Sequence, residues 1–109
     1  MDTLERREQA KTNMEKATRA HTEHGKEYAK YEREYRMLLA KTILKLEGEG
    51  YKVTLITYLA EGNIEVASAK ERRNIEHTLV KSAENAIVNY RKVMEQYHED
   101  YKLDYQYHD

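Results

Sequence analysis

Cysteine, proline, tryptophan and phenylalanine are all absent from this 109-residue chain, and only four of its residues are glycine. Without cysteine there is no disulfide framework, no thiolate metal centre and no thiol nucleophile, which excludes small secreted disulfide scaffolds and cysteine-ligated zinc fingers and favours an intracellular protein. Without proline, and with so few glycines, the chain lacks nearly every helix breaker and most of the turn chemistry of all-β folds. Long hydrophobic runs are missing too: none approaches the roughly 18 to 20 residues a membrane span requires, and Met1-Asp-Thr-Leu-Glu-Arg-Arg7 has no apolar segment of the kind found in export signals. The expected location is therefore the cytoplasm, with no membrane association. Nor does one sign of charge dominate. Lys and Arg number 19 against 20 Asp and Glu, and the isoelectric point near 6.5 is far from the values above about 9 usual for nucleic-acid-binding domains.

What is present is charge in quantity, 36% of residues against 39% hydrophobic, with a mean hydropathy of -1.02. That is too little apolar material for a thick core and points to thin packing of helices within a single domain spanning 1–109. Between about residues 3 and 47 a seam steps by three and four through Ala10, Met14, Ala17, His21, His24, Tyr28, Tyr31, Tyr35, Leu38 and Thr42, a repeat of 3.5 residues that predicts one long helix packed on a partner. Gly25 is a weak point in that helix, costing about 1 kcal/mol relative to Ala. Leu39, Ile43 and Leu46 widen the apolar stripe toward its C-terminal end.

Glu47-Gly-Glu-Gly-Tyr51 supplies two glycines in three residues and should end the first helix. The connector, about 48–62, holds the most apolar run, Val53 to Ala60. Its β-branched content leaves strand and helix both open, but a lone strand would have nothing to pair with. A short helix capped by Thr54 and burying Val53, Ile56, Leu59 and Ala60 is the preferred reading. A second long helix is predicted over 63–105, with Asn63 as N-cap and a stripe of Ile75, Leu79, Ala83, Ala86, Tyr90, Val93, Tyr97 and Tyr101. Two helices of similar length, each apolar on one side, must fold back on each other, so the expected fold is an all-α antiparallel helical hairpin, coiled-coil-like, with a short helix or turn at the connection. Pairing residues whose numbers add to about 112 places Leu38 beside Ile75 and Tyr35 beside Leu79, with the two histidines of the first helix near Tyr90 and Val93. The apolar excess around Leu39, Ile43, Leu46, Leu55, Ile56 and Leu59 predicts self-association, as a homodimer.

The chemistry-bearing patterns are sparse. His21 and His24 sit at i and i+3, a spacing able to present two imidazoles to one metal ion, but a third ligand is wanting: His77 lies too near the turn and His98 falls off the seam. A polar layer of the seam is the better account. Ser68 and Ser82 lie mid-helix outside any nucleophile elbow, and Gly48-Glu-Gly50 lacks the lysine and spacing of a phosphate loop. The carboxylates alternate with Lys and Arg at helical spacing, as on a solvated face. No catalysis, cofactor or metal is expected. A cationic patch of Lys41, Lys70, Arg72 and Arg73 could hold a phosphate backbone, although neighbouring glutamates blunt it.

The C-terminal stretch stands apart. From Val93 to Asp109 the acids Glu95, Glu99, Asp100, Asp104 and Asp109 face only Lys102, and Tyr97, Tyr101, Tyr105 and Tyr107 lie among them. Tyrosine gives contact area at low entropic cost, and acids beside aromatics complement a basic surface. This makes Tyr101, Tyr105 and Tyr107 with Glu99, Asp100 and Asp104 the candidate partner-binding residues.

The central segments Leu38-Leu-Ala-Lys-Thr-Ile-Leu-Lys-Leu46, Gly50-Tyr-Lys-Val-Thr-Leu-Ile56, Leu59-Ala-Glu-Gly-Asn63 and Val66-Ala67 resemble small helical proteins encoded by phages and prophages of Gram-positive bacteria. The resemblance covers about half the chain and its motifs are structural, so no functional residue is carried over from it. It implies a phage-derived protein of the host cytoplasm, from a neighbourhood where recombination, replication and host-defence inhibitors are found. The expected function is a non-catalytic interaction module binding a host or phage protein, such as a host nuclease or a defence component that it inhibits. The alternative is a nucleic-acid-binding accessory factor for phage replication or recombination.

Overall fold

The computed structural model describes residues 2–108, with side chains for all of these except Asp104, Tyr107 and His108. Three helices account for almost all of it: α1, Thr3–Gly48; α2, Val53–Glu61; and α3, Ile64–His108. The fold is the all-α helical hairpin expected from the sequence, and the 53–60 run is helix, not strand.

Local chemistry sets each boundary. Asp2 opens α1 by accepting the Glu5 amide on its side chain at 2.8 Å, an N-cap that the hydrophobic pattern does not reveal. At the other end Gly50 takes a φ of +84°, while the Gly50 amide donates to the Glu47 carbonyl and the Tyr51 amide to that of Leu46. This pair of bonds is a Schellman closure, which needs a left-handed residue where glycine stands. α2 begins after Lys52 with no side-chain cap, so Thr54 is not the cap its sequence position suggests; it lies inside the first turn. Asn63 does cap α3, its Oδ1 accepting the amides of Glu65 and Val66 at 2.9 and 3.2 Å.

The residues fall into two compact units, one of residues 24–78 and the other combining the stretch up to Glu23 with that from Leu79 onward. In each, a length of α1 packs antiparallel to a length of α3. In the 24–78 unit the core is Tyr35, Val66 and Ala69, with Leu38 and Leu39 packed against it, and α2 turns Ile56 and Ala60 inward. In the other unit Ala10 and Ala83 are buried, and Met14, Ala17, Tyr90 and Met94 are half-buried.

All ten seam positions read from α1 are buried or half-buried. The stripe read for α3 needs correction. Ala83, Ala86, Tyr90 and Tyr97 turn inward, but Ile75, Leu79, Val93 and Tyr101 are exposed. The inward face instead runs through Val66, Ala69, Arg73, Glu76, Val80, Ala83, Tyr90, Met94 and Tyr97. The register moves with it. Cross-helix partners have numbers adding to about 105, as in His21 with Glu84, Glu32 with Arg73, and Tyr28 with His77, one heptad short of the expected 112. The inward face of α3 begins at Val66 and packs on Tyr35, Leu38 and Leu39, so the α3 seam starts against the middle of the apolar stripe of α1 and not against its end. On α2, Val53 and Leu59 were expected inside and are exposed.

Candidate functional site

The most concentrated polar arrangement lies in the 24–78 unit and ties all three helices together. The Tyr35 hydroxyl, buried at the centre of α1's seam, donates to Glu61 Oε1 at the end of α2, 2.7 Å away. Lys70 Nζ on α3 donates to Glu61 Oε2 at 3.4 Å. The Arg73 guanidinium lies 4.6 Å above the Tyr35 ring and donates to Glu32 Oε2 at 3.1 Å, while Arg36 donates to the other Glu32 oxygen at 2.7 Å. Arg73 can therefore occupy a seam position because its planar head is both stacked and paired.

The charges respond accordingly. The Arg36 hydrogen bond, helped by Arg73 against the cost of burial, holds the Glu32 carboxyl below its ordinary value of 4.5. The Tyr35 hydrogen bond does the same for Glu61, with Lys70 and Arg73 assisting. Donation to Glu61, with burial, pushes the Tyr35 phenol above 10.0. Each shift is explained by a partner within the cluster, which is the behaviour of a structural ion-pair network.

The histidines of α1 also find carboxylates. His24 Nδ1 lies 2.7 Å from Glu76 Oε2, and in the other unit His21 Nε2 lies 3.3 Å from Glu84 Oε1, where His21 and Lys81 together keep the Glu84 carboxyl low. A carboxylate can only accept here, so the facing ring nitrogens are donors. The polar layer expected at His21 and His24 is present, though its partners are glutamates and not Tyr90. Among the described residues no three His, Asp or Glu side chains are grouped so as to hold a metal. His77, on the edge of α3, is tilted 45° against Tyr28 with ring centres 5.4 Å apart. His98, read from the sequence as off the seam, is half-buried beside a groove lined by Arg7, Met14, Arg91, Met94 and Glu95.

The four cations of the sequence-predicted patch separate into two pairs. Lys70 and Arg73 are engaged with Glu61 and Glu32. Lys41 and Arg72 are exposed and line neighbouring grooves that share Leu38, Ile64 and Glu65. At the C-terminal end of α3, Tyr101 and Tyr105 are 51% and 64% exposed. Glu99 lies 3.8 Å from Lys102, and Asp100 accepts a bond from Gln96 at 3.0 Å. The side chains of Asp104 and Tyr107 lie outside the described residues.

A second surface falls where the sequence reading placed an apolar excess around Leu55 and Leu59, though Ile56 of that group is buried. α2 is the most apolar helix of the three, yet only Ile56 and Ala60 of it are buried. Val53, Leu55, Tyr58 and Leu59 are exposed, as is Ile64 at the start of α3. The signal available in the sequence was length: a nine-residue helix can turn only about a third of its circumference inward, so a run apolar on all sides must leave much of itself in water. Among the described residues no helix is long and apolar enough to cross a membrane. Comparison of the chain with protein-family models, with curated proteins and with solved structures finds no match.

Proposed function

We propose that this chain is a non-catalytic protein-interaction module that works as a homodimer and presents the Tyr-rich acidic end of α3 to a basic partner protein. The observation that carries the reading is the exposure of Tyr101, Leu103 and Tyr105 on a helix end where Glu99 and Asp100 lie alongside. Aromatic area left in water beside acids suits a protein partner, because tyrosine contributes both apolar contact and a hydroxyl at low entropic cost. The resemblance to phage-encoded helical proteins narrows the partner to a host protein, such as a nuclease or defence component, that the module inhibits. Affinity capture from a Gram-positive host lysate tests this, with the full chain beside its Tyr101→Ala, Tyr105→Ala, Tyr107→Ala variant. A basic protein retained by the first and lost by the second supports the reading; equal retention by both removes the assigned surface.

The second reading, a nucleic-acid accessory factor, draws on the exposed cations Lys41, Lys45 and Arg72, which form no ion pair among the described residues. Mobility shift with single-stranded DNA at two salt concentrations separates the two, since phosphate contacts weaken steeply as salt rises. Salt-sensitive micromolar binding, reduced by Lys41→Glu with Arg72→Glu, favours the second reading.

A further inference from the structure

We infer that the exposed face of α2 is the dimer surface, packing against α2 of a second copy of this chain in an antiparallel, two-fold arrangement. The inference rests on the self-association stated above and goes beyond it by assigning the surface and its geometry. Leu55, Tyr58 and Leu59 recur at i, i+3 and i+4, the spacing that lines one helical face, and that face is directed away from the buried pair Ile56 and Ala60. Ile64 at the start of α3 is 83% exposed, and Tyr58 within the face is 78% exposed.

Charge decides what the partner is. From Val53 to Ala60 the helix carries none, and the carboxylate that follows, Glu61, is already engaged with Tyr35 and Lys70. A charged partner would find nothing on this face to pair with and would lose its own hydration. A second α2 brings no such cost. The flanks then fix the direction: Lys52 stands before α2 and Glu65 after it, both exposed. Parallel packing would set lysine against lysine and glutamate against glutamate. An antiparallel two-fold places the Lys52 end of each copy beside the Glu65 end of the other and opposes the two helix dipoles, which is the isologous geometry of most homodimers.

Sedimentation equilibrium on the full chain tests this, with helix content followed by circular dichroism. The wild type should show twice the 13.0 kDa chain mass at tens of micromolar. Leu55→Glu with Tyr58→Glu should weaken association at least a hundredfold without loss of helix, both side chains being exposed. Lys52→Glu alone should weaken it severalfold, and adding Glu65→Lys should restore it. A monomeric wild type overturns the self-association and the surface together. A dimer that survives the Leu55 and Tyr58 changes overturns the surface alone, and failure of the charge reversal to restore association overturns the antiparallel arrangement.

Discussion

Glu32 accepts from two arginines and Glu61 from a tyrosine and a lysine, so the residues that hold the 24–78 unit together carry their own pH limits. Both carboxyls sit below 4.5 in the folded protein. A group whose pKa is depressed by folding contributes stability above its unfolded value and loses it as pH falls through the folded one. Tyr35 is raised above 10.0, so its contribution is complete below pH 10 and fades as pH rises through the folded value. Thermal melts should therefore be level in this respect across neutral pH and fall below about pH 4.5; Glu32→Gln with Glu61→Gln should melt lower at pH 7 and show a shallower acid slope. An unchanged slope would mean that other carboxylates dominate acid unfolding. At Gly25, by contrast, a methyl group on the α-carbon would have no neighbour within 4 Å, and the backbone is helical. Gly25→Ala should thus stabilise by about 1 kcal/mol, read as a rise in melting temperature of several degrees.

At the scale of the element, the glycine-marked end of α1, the Asn63 cap of α3 and the α1 seam were legible in the sequence, the start of α2 was not, and the inward face of α3 was only half so. The α1 repeat runs through Ala10, Met14 and Ala17, continues through Tyr28, Tyr31, Tyr35 and Leu38, and survives the inclusion of two histidines between them. On α3 the pattern misleads, since Ile75, Leu79 and Val93 point outward while Arg73 and Glu76 point inward to meet Glu32 and His24. A reading based on hydrophobicity sees one helix at a time, and a charge is tolerated in a seam only through a partner on the other helix. Capping is more local. Asn63 satisfies two amides of α3, and Asn63→Ala should cost about 1 kcal/mol in a denaturant titration, with Asn63→Ser recovering most of it. An alanine variant as stable as the parent would show that packing of Val66 and Ala69 alone fixes where α3 begins.

For the molecule as a whole, the register between α1 and α3 decides which surfaces face outward, and it follows from how the connector is built. α2 occupies nine residues and ends on Glu61, which is bound to Tyr35; α3 can then begin packing only where Val66 and Ala69 reach Tyr35, Leu38 and Leu39. Sequence pattern alone could not separate this register from its neighbour, because a slip of one heptad returns every seam position to an equivalent one. The difference is about 10 Å along the axis, and the natural absence of cysteine makes it easy to measure. With Tyr28→Cys and His77→Cys, whose ring centres lie 5.4 Å apart, mild oxidation should link the helices faster than a pair one heptad out of step. Tyr35→Cys with His77→Cys, one heptad out of step, should link slowly or not at all, since a disulfide tolerates Cα separations of only about 4.4–6.8 Å. Preferential linking of the second pair would return the register to 112. It would also take Arg73 away from Glu32 and Tyr35, undoing the network that explains why charged residues lie inside at all.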